Sequence, residues 1–345
     1  MKIAFLVENW GEPWNEGYKN LARYILEMLK EHMKIEVLPG SKIGNSVIPL
    51  LTQYDLIHIF NYSVPLHRLI LFIRIKNPII KHVAKRELDV NVKSLIKTSM
   101  NMRLLWDAFI TTTEVLAKEL RRLAKNKPIF HLPPPIPTHY FIKLDRDKSR
   151  EILGLKQDCI YIGYTGTLNK FRNLEVLLKA VKPIINDRAD VKLLLALTNV
   201  SRKEFMLLKK LLLDYGLKPS QVVFVKTDDV RLIYSSLDAL VYPAKREGSV
   251  EPPLTILEAM SSETIVVVYR NVITSRLIID GFNGFLFSDS KDLNRILQCL
   301  ISNRLNSEDI AKNARETITK YYDFSNLRRS YIETYERTVS ELTYN

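Results

Sequence analysis

Short apolar runs alternate with segments whose apolar residues recur every three or four positions, and the pattern spans most of the chain. Residues 1–7 read as a buried strand. Residues 18–29 follow as a helix with Leu21, Tyr24, Ile25 and Met28 on one face. Further strands are predicted over 34–38, 56–60 and 108–112, then a helix over 114–124 and a strand over 128–132. Pro133, Pro134, Pro135 and Pro137 mark a rigid connection. Beyond it the pattern restarts with a helix over 148–153. Strands at 159–164, 191–195, 222–225, 237–242 and 265–269 follow, with helical stretches between them. A last helix, 326–342, carries Leu327, Tyr331, Tyr335 and Val339 at helical spacing. Strand–helix alternation of this kind predicts α/β architecture, with parallel sheets and crossover helices.

A chain of 345 residues suits two domains, and a hydrophobic fraction of 46% supplies two cores. The predicted parts are an N-terminal domain at 1–145, a second at 146–325, and the helical tail at 326–345. Cys159 and Cys299 lie far apart in apolar surroundings. They read as small core residues in a reducing compartment, not as a disulfide or metal site. The opening residues read as a strand and not as a signal peptide, and no apolar stretch is long enough to span a bilayer.

Charge changes the picture because it is uneven. Residues 1–150 hold 24 Lys+Arg against 14 Asp+Glu, a net of +10, while the remaining 195 hold 27 against 24, a net of +3. The first half is therefore expected to meet something anionic. Within it, Arg68, Arg74, Lys76, Lys81, Lys85 and Arg86 alternate with large apolar residues, and no acidic residue falls between Leu56 and Arg86. Residues 65–86 thus fit an anionic membrane surface; the alternative is an ordinary core helix and strand with basic residues outward. A nucleic-acid partner is not expected, since no reading helix or interleaved aromatic platform accompanies the charge.

The richest local chemistry lies at Glu251-Pro252-Pro253-Leu254-Thr255-Ile256-Leu257-Glu258-Ala259-Met260, between two apolar runs. Proline suits a first helical turn, so a helix is predicted to start at Pro252-Pro253. The free N–H groups of such a turn attract an anion. With a carboxylate before the helix and another inside it, the stretch suits a ligand bearing a phosphate and several hydroxyls, such as a nucleotide-sugar. The competing reading leaves Glu251 as a complement to the helix dipole and Glu258 on a solvated face.

This stretch resembles the retaining glycosyltransferases of family 4, group 1 glycosyl transferases with the GT-B fold. The resemblance implies two doubly wound Rossmann-like domains, a cleft between them, and a C-terminal helix crossing back to the first domain. Weaker similarities follow in the same order. Asp55-Leu56-Ile57-His58 looks like the family's buried Asp-x-x-His strand, and Thr112-Thr113-Glu114 like its strand-to-helix turn. Leu132-Pro133-Pro134-Pro135 stands where the family often has Ile-Pro-Asn-Gly. In that family the first of two glutamates contacts the donor sugar and the second, inside a Leu-Glu-Ala-Met helix, holds the ribose. Glu258 matches the second. Glu251 has six intervening residues where the family has seven, so either Glu251 or Glu247 takes the first role.

The same resemblance assigns the remaining candidates. Gly166 and Thr167 follow a strand where the family reads Gly-Arg-Leu, with a lysine five residues after the arginine. Thr167 replaces the arginine and Arg172 falls at the lysine position, with Lys170 as a second cation for the donor diphosphate. Gly17 opens the first helix where a glycine-rich loop touches donor phosphates, and Trp10 and Trp14 in that loop read either as sugar- or membrane-facing groups or as packed plugs. His82 stands where many members place a histidine against the sugar. No metal site and no cofactor beyond the nucleotide-sugar co-substrate are expected.

The implied reaction is transfer of a sugar, with retention, from a UDP-, GDP- or ADP-sugar to a glycan or lipid-linked acceptor. The alternatives are a GT-B nucleotide-sugar epimerase and a catalytically silent nucleotide-sugar binder. The expected location is cytoplasmic, with peripheral attachment to the inner face of the cell membrane as a further expectation.

Overall fold

The computed structural model describes residues 1–7, 10–14, 16–39, 53–60, 106–124, 126–168, 172–245, 250–302 and 307–343, and the backbone alone of 79–83. Two compact units emerge. One comprises Met1–Pro137, Gly248–Leu254 and Tyr321–Asn345; the other comprises Thr138–Glu247 and Thr255–Lys320.

The first unit holds strands β1 (Lys2–Val7), β2 (Lys34–Pro39), β3 (Leu56–Ile59), β4 (Ile79–Val83), β5 (Ala108–Thr111) and β6 (Ile129–His131). They form one parallel sheet in the order β2-β1-β3-β4-β5-β6. Ile3 to Val7 are all buried, which explains why the strand reads as an unbroken apolar run and not as an alternation. Helix α1 (Gly17–Leu29) packs Leu21, Ala22, Ile25 and Leu29, all fully buried, toward this core. Helix α2 (Glu114–Leu123) is capped by Thr113, whose hydroxyl accepts the Leu116 N–H at 3.2 Å.

The second unit begins with helix α3 (Arg146–Ile152) and strand β7 (Ile160–Gly166). Helix α4 (Leu174–Asp187), β8 (Val191–Leu197), helix α5 (Arg202–Asp214) and β9 (Val222–Val225) come next. Helix α6 (Val230–Ser236), β10 (Ala239–Tyr242), helix α7 (Leu254–Ser261) and β11 (Val266–Tyr269) follow. The run closes with α8 (Thr274–Leu277), β12 (Phe285–Phe287), α9 (Ser290–Ile301) and α10 (Ser307–Tyr322). The sheet is parallel in the order β12-β11-β10-β7-β8-β9. Its core joins Leu177, Leu178 and Val181 of α4 to Leu193, Leu195, Val241 and Val267 of the strands.

Both sheets are doubly wound, so each has a point where the strand order reverses. In the first unit it lies at β1, flanked by β2 and β3; in the second it lies at β7, flanked by β8 and β10. Open α/β sheets bind ligands beyond the carboxyl ends of the strands at such points.

The final helix α11 (Phe324–Thr343) belongs to the first unit. Its Tyr331 hydroxyl donates to the Pro133 carbonyl at 3.1 Å, and Arg328 Nε donates to the Met28 carbonyl at 3.2 Å. Tyr335 meets His58 of β3, with 2.7 Å between the phenol oxygen and Nδ1. His58 is fully buried and stacks on Phe60, the rings 4.1 Å apart. Burial pushes the Tyr331 and Tyr335 phenols well above their ordinary range, so both stay neutral.

One expectation about elements needs correction, and one strand went unpredicted. The helix predicted from Pro252-Pro253 starts at Leu254, so both prolines lie in the approach to it. β12 has three residues, too few to stand out as an apolar run between Gly284 and Ser288. The two cysteines are free, Cys159 buried and Cys299 half-buried.

Candidate functional site

In the second unit the reversal point brings together the end of β7, the start of α4 and the end of β10. Gly166 closes β7 with φ +140°, a backbone region that L side chains rarely adopt. A Cβ there would stand 3.3 Å from the Tyr164 hydroxyl, which itself donates to the Thr167 carbonyl at 2.7 Å. Glycine is thus required to turn the chain out of the sheet beneath this tyrosine.

Arg172 lies just past that turn and reaches across it. Its Nη1 donates to the Tyr242 hydroxyl at 2.6 Å, and its Nε to Thr167 Oγ1 at 3.3 Å. Asn173 adopts a left-handed conformation, φ 52°, and its amide donates to the Pro243 carbonyl at 3.2 Å. Neighbouring residues 172 and 173 therefore fasten the β7–α4 turn to the end of β10. Among the described residues no carboxylate pairs with Arg172, so its charge is oriented without being neutralised. Burial pushes the Tyr242 phenol up, against the opposing pull of the Arg172 guanidinium, and burial raises Tyr164 likewise. Both phenols remain neutral at physiological pH and leave the cation its full charge. Asn173 caps α4 without a side-chain bond, so the N–H groups of that first turn are not taken up by a cap.

Glu258 sits inside α7 with 6% of its surface exposed, which removes the solvated-face alternative. The Tyr234 hydroxyl of α6 donates to its Oε2 at 2.9 Å. Thr264 Oγ1 donates to the Tyr234 carbonyl at 2.9 Å and so fixes the tyrosine that holds the carboxylate.

Glu251, in the approach to α7, is 1% exposed, and neither carboxylate oxygen has a hydrogen-bond partner among the described residues. A carboxylate rarely goes unpaired away from water, and such a group calls for a ligand to satisfy it. Dipole complementation alone does not account for this burial, since a surface carboxylate would serve that purpose.

In the first unit the reversal point is occupied by the loop after β1. Gly17 opens α1, and its N-cap residue, Glu16, makes no side-chain cap, so an uncapped helix start faces this loop. The two tryptophans are half-buried and meet edge to face at 5.1 Å, with Arg23 over the Trp14 ring at 4.7 Å. Lys19 was missed by sequence reasoning. It is 4% exposed, and its ammonium donates to the carbonyls of Gly11 at 2.9 Å and Pro13 at 2.7 Å. A lysine in a first helical turn opposes the dipole; here it braces the loop. The packed-plug alternative for the tryptophans therefore describes them better.

Not every candidate can be placed. The backbone of His82 lies in β4, in register with Ile110 of β5, but its side chain lies outside the described residues. Lys170, Glu247 and most of 65–86 also lie outside them. Among the described residues no group of three or more His, Cys, Asp or Glu is arranged to hold a metal ion, and no helix is long and apolar enough to cross a membrane. Tyr164, Tyr234 and Tyr242 hold the candidate groups in place, and none was singled out from the sequence. Tyr242 ends an apolar run directly before Pro243, the one signal that could have found it.

Known proteins share the fold. No curated protein matches the chain. HepE of Anabaena, solved with UDP-glucose, superposes with a TM-score of 0.79 at 18% identity, over 98% of this chain and 100% of that one. Sucrose-phosphate synthase of Thermosynechococcus elongatus superposes with a TM-score of 0.78 at 17% identity, over 99% and 100%. A glycosyltransferase of Rickettsia africae gives 0.76 at 13% identity, over 98% of each chain. At these identities the likeness shows the fold, which is GT-B. Residues 145–317, half of the chain, match the model of the glycosyl transferases group 1 family. The match covers the unit that contains Gly166, Arg172, Tyr242 and Glu258, and on it the chain belongs to the group 1 glycosyltransferases.

Proposed function

We propose that this glycosyltransferase moves a hexose from a UDP-sugar to an acceptor hydroxyl with retention of anomeric configuration. The observation that carries the proposal is the Glu251 carboxylate, buried at the entry to α7 with neither oxygen hydrogen-bonded among the described residues. The sugar hydroxyls of the donor would satisfy it. Glu258, held by Tyr234, binds the ribose, and Arg172, held by Tyr242 and Thr167, meets the diphosphate. Lys170 and the uncapped start of α4 supply further contacts to the phosphates. HepE, of the same fold, was solved with UDP and with UDP-glucose, which favours uridine among the candidate bases.

In the proposed step the acceptor oxygen bonds to the anomeric carbon on the face from which the diphosphate departs. The bond from that carbon to the phosphate oxygen breaks, and the acceptor proton passes to the departing oxygen. Arg172 stabilises the charge that develops there. No carboxylate nucleophile is needed, and none is assigned. A lipid-linked acceptor is proposed from the basic, apolar segment 65–86. Reversing Arg74, Lys76 and Lys81 to glutamate would then lower transfer to a lipid-borne acceptor while UDP binding persists.

Thermal denaturation with UDP-, GDP- and ADP-glucose tests the donor assignment. A ligand at one hundred times its Kd stabilises the fold by about 2.7 kcal/mol, so UDP-glucose is expected to raise Tm visibly and the others less. A preference for GDP or ADP would refute uridine, and no response to any nucleotide would refute donor binding. Transfer that fails while UDP-glucose binds and the sugar epimerises would favour the epimerase reading.

A further inference from the structure

Helix α5 crosses from β8 to β9, the last strand at its edge of the second sheet. Only Leu208 and Leu212 of its thirteen residues are buried in the unit. Met206 is 60% exposed, Leu207 58% and Leu213 63%. Arg202, Lys203, Lys209 and Lys210 are exposed among them. Positions 203, 206, 210 and 213 fall along one line of a helix with 3.6 residues per turn, so the outer face reads Lys, Met, Lys, Leu over about 15 Å. The opposing carboxylates are few. Glu204 is turned back onto Ser201 as a capping box, its Oε2 accepting the Ser201 N–H at 2.9 Å. Among the described residues Arg202, Lys203 and Lys210 form no ion pair, while the Lys209 ammonium lies over the Phe205 ring at 4.9 Å. Beside the helix, a groove of about 330 Å³ is lined by Leu197, Phe205 and Phe224 together with Arg202 and Lys226. Apolar walls and cations thus recur there.

We propose that this face of α5 docks on a lipid bilayer rich in anionic headgroups. Single exposed apolar residues are ordinary, but a line of them between unneutralised lysines is the pattern of a helix lying in a membrane interface. There the long lysine stems spread over apolar surface while their ammonium groups meet phosphate. A protein partner fits less well. Lysine is depleted from protein interfaces, and this face has no aromatic anchor at its centre around which a binding hot spot forms. The inference does not depend on the donor or acceptor assignment, and it concerns a surface separate from 65–86.

The test is sedimentation of the full chain with phosphatidylcholine vesicles, with and without phosphatidylglycerol, over a range of salt. The wild-type protein is expected to bind only the acidic vesicles and to dissociate as salt rises. Lys203→Glu with Lys210→Glu is expected to weaken binding at least about tenfold. Met206→Ser with Leu213→Ser is expected to weaken it even at low salt. UDP affinity in both variants should equal that of the wild type, which confirms that the unit is folded. The inference is overturned if the wild type ignores acidic vesicles or if both α5 variants bind them as the wild type does. It is equally overturned if only reversal of Arg74, Lys76 and Lys81 releases the protein, or if the α5 substitutions alter self-association and leave vesicle binding unchanged.

Discussion

Replacing Arg172 by alanine removes the candidate diphosphate cation that lies among the described residues. Two of its N–H groups are engaged, one by Tyr242 at 2.6 Å and one by Thr167 at 3.3 Å. These fix the guanidinium plane, and among the described residues the outer Nη2 edge has no partner, so it can meet a phosphate. One charge-assisted hydrogen bond from that edge is worth about 1.5–3 kcal/mol, which corresponds to a ten- to 150-fold loss in UDP affinity, approximately. The variant also leaves the buried Tyr242 hydroxyl without its arginine, so part of the loss would be structural. Two further variants separate the contributions. Tyr242→Phe keeps the cation and removes its holder, and is expected to weaken UDP binding by less than Arg172→Ala. Arg172→Lys keeps a charge but cannot span both partners, and is expected to fall between wild type and alanine. Isothermal titration with UDP at fixed salt gives the three affinities, and Tm reports the fold. An Arg172→Ala protein that binds UDP as tightly as the wild type would refute the assignment. So would an affinity loss fully matched by the Tyr242→Phe variant.

Glu258→Ala is expected to weaken binding of UDP and to leave binding of inorganic pyrophosphate unchanged, because the carboxylate is assigned to the ribose; equal losses for both, read by titration, would reject that role. Gly166→Ala should lower Tm, since it places a side chain at φ +140° and 3.3 Å from the Tyr164 hydroxyl, and an unchanged Tm would show that the turn relaxes at little cost. Tyr335→Phe leaves fully buried His58 without its phenol partner and is expected to cost about 1–3 kcal/mol by denaturant unfolding, with UDP affinity unaltered.

The doubly wound architecture was legible because strands buried on both faces are continuous apolar runs, and helices between them keep their own period. Residues 160–166 and 191–197 illustrate this, with ten of the fourteen positions buried and the rest half-buried. What holds the candidate groups was not legible. Tyr242 meets Arg172 across 70 positions of sequence, and Tyr335 meets His58 across 277, separations that no local pattern encodes. Lys19 illustrates a different limit, since a lysine near a helix start reads as a surface residue until loop carbonyls enclose it. The start of α7 was read too early because proline favours a first helical turn and serves equally well in the extended approach to one. Glu258 showed the reverse ambiguity: its helix was visible, but only packing against Tyr234 decided that the carboxylate faces inward.

The central claim is a retaining transfer that depends on the buried Glu251 carboxylate. Proton NMR of UDP-glucose incubated with the protein, with water as the acceptor, follows the anomeric signal of the released sugar before it equilibrates. The account predicts α-glucose as the first product from the α-linked donor. It also predicts that Glu251→Gln abolishes the release while UDP still binds. Initial appearance of β-glucose, or undiminished release by Glu251→Gln, would contradict it.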